Sequence, residues 1–229
     1  MPLIRLVWVL LLCVSLFGCK TPGSLYKISV INDPRMEKEL APSGDAVHFE
    51  KQGIWGAVRP VGYQDLTDPS SLNREWDFRN PFDGIYDQAG MPVAFYLLIE
   101  NRSGSAITFN PSSSFSVAYA HEPLLQIEYD DLYQELYGSH KREAALENIR
   151  KMLFRSYQTL NPGDQVRGLL LFRRPEQKKI KSGEISFHIH RIYAGSREME
   201  LAIPFVLQME KIEAPSPGKD GDPEEPIEE

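Results

Sequence analysis

Cysteine is nearly absent from this chain. Its two copies, Cys13 and Cys19, lie within the first nineteen residues, and none follows. Everything downstream therefore lacks a disulfide, a thiol nucleophile and a cysteine-based zinc cluster, so its stability must rest on an apolar core. Long apolar runs are also scarce. The run Leu6 to Phe17 falls well short of the roughly 20 residues that a membrane-crossing helix needs. Nor is there an excess of positive charge. Lysine and arginine number 25 against 32 aspartates and glutamates, for a net charge of −7, which argues against nucleic acid as a partner. No Gly-x-Ser-x-Gly, glycine-rich phosphate loop, His-Glu-x-x-His or paired-cysteine motif occurs. No catalytic residue and no cofactor is assigned, and an enzyme is not expected.

What is present begins at the N-terminus. Arg5, the short apolar run and the ending Leu16-Phe17-Gly18-Cys19 have the form of a secretory signal. The last four residues resemble the lipobox of bacterial lipoproteins, with Phe17 where a smaller residue is usual. That resemblance implies cleavage before Cys19 and acylation of Cys19, making residues 1–18 a lipoprotein signal peptide and 19–24 a short lipid tether. Five extended residues reach only about 17 Å, which would hold the domain close to a membrane. Lys20, in place of an aspartate, implies delivery to the outer membrane, periplasmic side, in a Gram-negative host. At the other end, residues 213–229 hold seven carboxylates against Lys219, with several prolines and glycines, and are expected to be a disordered acidic tail.

Between these lies one expected domain, 25–212. Period-two and apolar runs predict strands over 25–31, 46–50, 54–63, 93–101, 106–110, 114–119, 124–129, 157–160, 166–173, 184–193 and 198–208. Pro60 points to an edge or bulge in its strand. A short helix is expected at 35–40, with Asp33 as N-cap and Pro34 at its first position. Residues 64–90 form a long polar stretch carrying Trp76, Phe78, Phe82 and Tyr86, expected to pack down over the strands. The period changes over 130–137, with Leu132, Tyr133, Leu136 and Tyr137, and Gly138 reads as the stop. It stays helical over 142–155, where Ala145, Leu146, Ile149, Met152 and Leu153 make an apolar stripe. The fold class is mainly β, an immunoglobulin-like antiparallel β-sandwich with a two-helix insertion at about 130–156. Phe95, Leu97, Ile99, Leu169, Leu171, Phe187 and Ile189 are the expected core.

Two segments carry a further resemblance. One runs from Gly90-Met91-Pro92-Val93 through Leu98-Ile99-Glu100-Asn101-Arg102-Ser103 to Ile107-Thr108-Phe109-Asn110-Pro111. The other joins Leu160-Asn161-Pro162-Gly163-Asp164 to Gly168-Leu169-Leu170-Leu171-Phe172-Arg173-Arg174-Pro175. Together they resemble the immunoglobulin-like domain of bacterial envelope lipoproteins and related secreted domains of the DUF4352 type. The resemblance covers about 46–207, implies a fold, and supplies no catalytic residue.

Three groups of side chains bear on function. Arg173, Arg174, Lys178, Lys179 and Lys181 cluster at a strand connection, and Lys141, Arg142, Arg150, Lys151 and Arg155 line the second helix. These are a candidate surface for anionic headgroups, an anionic envelope polymer or an acidic partner segment, with a solvated face as the simpler reading. His188 and His190, two apart on a strand, project from one face and are weak metal candidates that would need a third ligand such as His121 or Glu122. Asp130, Asp131 and Glu135 are read as carboxylates complementing a helix N-terminus, and 83–87 as a turn, not a calcium loop. No metal is assigned. The expected function is a lipid-anchored, non-catalytic binding or assembly module of the cell envelope, partnered by the membrane through Cys19. The alternatives are a periplasmic hydrolase-like enzyme built on 64–90 and the helical insertion, or a lipid- or solute-binding lipoprotein with an enclosed apolar cavity.

Overall fold

A computed structural model describes residues 26–33, 40–43, 45–78, 80–82, 85–137, 142–154, 156–176 and 180–212. The signal, Cys19, residues 35–39 of the expected helix, Gly138, Lys141, Arg155, Lys178, Lys179 and the acidic tail lie outside them.

Thirteen strands among the described residues form two antiparallel sheets. The first contains β1 (Tyr26–Asn32), β13 (Arg197–Lys211), β12 (Gly183–Ala194), β6 (Ile107–Phe109) and β10 (Gln158–Leu160) in that order, with β7 (Phe115–Tyr119) against β12 and β8 (Glu122–Leu124) against β7. The second runs β2 (Ala41–Ser43), β3 (Ala46–Lys51), β4 (Ile54–Val61), β5 (Val93–Asn101), β11 (Gln165–Phe172) and β9 (Gln126–Ile127). Helices α1 (Tyr63–Thr67), α2 (Pro111–Ser114), α3 (Tyr129–Glu135) and α4 (Arg142–Met152) join them, with a 3-10 turn at Pro69–Ser71.

The space between the sheets is filled by phenylalanines. Phe95 lies 5.0 Å from Phe187 and 5.2 Å from Phe205, ring centre to ring centre, and Phe109, Phe115 and Phe154 form a second group. All seven expected core residues are buried, but they divide between two layers. Phe95, Leu97, Ile99, Phe187 and Ile189 face the opposite sheet, whereas Leu169 and Leu171 face outward, under the helices. There they meet Leu132, Leu136, Leu146, Ile149 and Met152 together with Trp76 and Phe82. β11 is thus covered on both faces, which is why its apolar run is continuous rather than alternating. The aromatic stretch 64–90 packs down as expected, and its first residues are helical in α1, which begins at Tyr63 where a strand end was expected.

The two motif segments meet at Asn101. This fully buried side chain donates through Nδ2 to the carbonyls of Ser105 and Leu160, both at 2.8 Å, while its Oδ1 accepts from the Ser103 N–H at 2.9 Å and hydroxyl at 2.7 Å. Its backbone N–H donates to the Asp164 carbonyl, and its carbonyl accepts from Gly163 N–H at 2.7 Å. Gly163 has φ +87°, a conformation that side chains rarely tolerate. Asn101 therefore ties one turn to the other.

β12 alternates as expected up to Ile189, then breaks. Its register against β13 shifts between Ile189 and Ile192, and Arg191 has φ +55°. A strict alternation would drive Arg191 into the core. The extra residue returns Ile192 to the interior instead, as a β-bulge does. The bulge is held on both sides: Arg191 N–H donates to Glu198 Oε1 at 3.0 Å, and the buried Ser114 hydroxyl donates to the Arg191 carbonyl at 3.1 Å.

Candidate functional site

The helices mounted outside the second sheet bring together side chains that are widely spaced in sequence. α3 starts with a capping box, in which Asp131 Oδ2 accepts from the Glu128 N–H at 2.9 Å. Leu132 and Leu136 turn inward and meet Leu146, Ile149 and Met152 of α4. This fixes which faces of the two helices remain outside. Tyr129, Tyr133 and Tyr137 recur every four residues, on one stripe of α3 and its continuation. The Arg142 guanidinium stacks on Tyr133 at 3.9 Å and lies 5.2 Å from the Tyr137 ring. Arg150 lies 5.4 Å from the Tyr129 ring and donates to its hydroxyl at 3.3 Å. Tyr133 is 42% exposed and Tyr137 77%. Such cation–aromatic contacts orient a guanidinium without satisfying its N–H donors. The Tyr129 end opens onto a cleft of about 220 Å³ lined in part by Ser112, Gln126, Glu128, Asp130 and Ser156.

The tyrosine spacing was visible in the sequence, where it served only as a sign of helix. What the sequence did not give is the antiparallel placement of α4, which sets Arg150 beside Tyr129 and Arg142 beside Tyr137.

The expected basic connection is arranged differently from a loop of free cations. Arg173 reaches back to α3, with Nη2 3.2 Å from Asp131 Oδ1 and Nη1 3.8 Å from Glu135 Oε1. Arg174 is half-buried, and its three guanidinium nitrogens are covered without a hydrogen-bond partner. Burial lowers its pKa, and the charge of Asp87 opposes that shift. Lys181 is exposed, and its backbone N–H and carbonyl both bond the Tyr119 hydroxyl, at 2.9 and 2.6 Å. Asp131 thus combines the helix-capping role read from the sequence with an ion pair, and Glu135 serves Arg173. Burial and the nearby Glu135 carboxylate push the Tyr86 phenol well above its ordinary value.

His188 and His190 share the outer face of the first sheet, and His188 Nε2 lies 2.9 Å from the Ser186 hydroxyl. Burial and the neighbouring His190 lower the His188 pKa. His188 pairs with Ser116, whereas Glu122 pairs with Tyr119, three residues farther along β7 and one strand beyond it, and His121 lies in the turn past Tyr119. At about 3.3 Å per residue that separation rules out either as the third ligand. No group of three or more His, Cys, Asp or Glu able to hold a metal occurs among the described residues.

A last cluster lies on the outer face of β3, β4 and β5. Arg102 stacks 4.7 Å over Trp55 and pairs with Glu100 at 3.0 Å and Glu50 at 3.5 Å, while His48 tilts against the indole at 5.4 Å. The hydrogen bond from Arg102 lowers the Glu100 pKa. These partners satisfy one another.

Comparison of the chain with protein-family models, with curated proteins and with solved structures found no match. What stands is the fold itself: a mainly β protein of two packed antiparallel sheets with a few short helices.

Proposed function

We propose that this chain is a non-catalytic binding or assembly module of the bacterial cell envelope, held to the membrane by acylated Cys19, with an immunoglobulin-like domain presenting the α3–α4 face to a partner. The observation that carries this reading is the strip of tyrosines and arginines, exposed at Tyr133, Tyr137 and Arg150 and half-buried at Tyr129 and Arg142, on helices bolted to the sheet by their opposite faces. Tyrosine and arginine, with tryptophan, are enriched among the residues that dominate binding energy at protein interfaces, because they bring large contact area and directed hydrogen bonds. The phenylalanine-filled space between the sheets favours binding on this surface over a lipid held inside.

The test is made in the native envelope. A photocrosslinking residue at Tyr137 should capture a discrete partner, while one at Arg197, exposed on the first sheet, should not. Labelling with a palmitate analogue should mark the wild-type chain and leave Cys19→Ala unmarked. Equal crosslinking from both positions would sink the assignment of the face, and an unlabelled wild type would sink the anchor.

A hydrolase-like second reading has one specific observation behind it, the Ser186–His188 pair at 2.9 Å. A serine nucleophile also needs its histidine oriented by a third group. Among the described residues no carboxylate bonds His188. A fluorophosphonate probe that labels the wild type and spares Ser186→Ala would favour this reading over the first.

A further inference from the structure

β11 changes neighbours along one of its edges. At Leu171 and Phe172 it pairs with Ile127 and Gln126 of β9. Two residues back its neighbour is Leu153, just past α4, which bridges Leu169, and Phe154 N–H donates to the Leu169 carbonyl at 3.0 Å. One segment departs into α3 where the other arrives from α4, and the gap between them is the cleft of about 220 Å³ beside Tyr129. Its buried lining is apolar, with Ile127, Leu153 and Phe154. Its exposed lining forms the mouth and holds the carboxylates Glu128 and Asp130 with the hydroxyls Ser112 and Ser156. No cation lines the cleft among the described residues. Neither carboxylate has an ion pair among them, because Arg173 pairs with Asp131 and Glu135 and Arg150 is held at the Tyr129 hydroxyl. The N-terminus of α3 adds about half a positive charge, less than the two carboxylates supply.

We propose, building on the binding-module reading, that this cleft receives one arginine side chain of a partner protein. Its volume lies below the roughly 300–1,000 Å³ of small-molecule sites and suits a single side chain. The apolar floor matches an aliphatic stem, and the acidic mouth matches a cationic head that stays close to water. Of the two basic side chains, arginine is the more weakly hydrated and offers several donors in one plane to carboxylates and hydroxyls together. It is also the charged residue most often found as an interface anchor seated in a pocket. The surrounding helices favour the same sign of partner. α3 and α4 carry Asp130, Asp131, Glu135, Glu143 and Glu147 against Arg142, Arg150 and Lys151. Such a surface attracts a basic segment and repels an acidic one.

The experiment titrates N-acetyl-arginine methylamide into the isotopically labelled full chain and follows backbone amide shifts. Saturable shifts confined to the cleft amides, with a Kd on the order of 1 mM, are expected. The citrulline derivative keeps the shape without the charge and should bind about tenfold more weakly or not at all. The norleucine and lysine derivatives should each bind at least about threefold more weakly. E128Q and D130N lie at exposed positions, and together they should weaken arginine binding about tenfold with no change in the unfolding midpoint. Equal binding of arginine and citrulline, or a double variant that binds like wild type, overturns the proposal. A lysine or norleucine derivative that binds as tightly as arginine overturns it too. In the envelope, the double variant should lose most of the crosslinking from Tyr137. Crosslinking at the wild-type level would mean that the partner does not use the cleft, and the proposal falls. If arginine fails to bind while Tyr137 still captures a partner, the arginine anchor falls and the binding module stands. If both fail, both readings fall.

Discussion

Asn101 shows how much a single polar residue contributes when it is buried and fully partnered. Its side chain makes four hydrogen bonds, and its backbone ties the 161–164 turn to the end of β5. Asn101→Ala should cost about 2–4 kcal/mol in urea unfolding, because it strands buried carbonyls without donors. A loss below about 0.5 kcal/mol, the range of an ordinary surface change, would mean that the turns hold without it. His188 gives a pH-dependent counterpart. Its folded pKa lies below the ordinary histidine value of 6.5, so the unfolded chain binds the proton more readily. Its contribution is fully present above the unfolded value of about 6.5 and is lost as the pH falls from there through the lower folded pKa. Stability measured between pH 7.5 and 5 should therefore decline more steeply in the wild type than in His188→Gln. Parallel profiles would show that the ring titrates alike in both states.

At the scale of elements, the strands were legible wherever one rule governed them. The strands expected over 54–63, 93–101 and 184–193, from turn residues at their ends and apolar side chains at every second position, are present, although the first stops at Val61, where a helix follows, and the alternation of the last stops at Ile189. Pro60 also behaved as its chemistry requires. It pairs with Phe95 on one side, whereas the ladder with β3 has ended at Val58. The rest was hidden for physical reasons. The continuous run from Leu169 to Phe172 cannot reveal which of its alternate residues face the other sheet and which the helices. The bulge at Arg191 depends on Ser114 and Glu198, distant in sequence or across the hairpin. The tyrosine–arginine strip required the pairing of two helices that sequence spacing alone leaves open. Because the helical layer packs on the same strands as the inter-sheet core, its loss should be felt throughout. Phe95→Ala should cost about 3–5 kcal/mol and Ile149→Ala about 2–5 kcal/mol, each within one cooperative transition. Tryptophan fluorescence, to which the buried Trp76 under the helices contributes, and far-ultraviolet circular dichroism should then give the same midpoint. Separate midpoints in Ile149→Ala would make the helical layer an independent unit.

For the molecule as a whole, the net charge of −7 is concentrated in 213–229, where seven carboxylates oppose one lysine. Removing that segment leaves the chain close to neutral. If the 173–181 connection meets anionic lipid or envelope polymer, as its sequence suggests, deletion of 213–229 should strengthen co-sedimentation with anionic vesicles, and salt should reverse the gain as screening shortens to about 8 Å near physiological strength. The structure changes how the charges should be removed. Arg173 is tied to Asp131 and Glu135, and Arg174 is half-buried. Neutralising them would disturb the seat of α3 as well as the surface potential, and a loss of binding would then have two causes. The informative substitution is the triple change Lys178→Gln, Lys179→Gln and Lys181→Gln in the tail-deleted chain. Each lysine near an anionic surface contributes roughly 1 kcal/mol, so the triple variant should return co-sedimentation to the full-length level without moving the unfolding midpoint. Unchanged co-sedimentation at low salt, after both the deletion and the triple change, would reduce this connection to a solvated face and leave the α3–α4 strip as the surface on which partner binding depends.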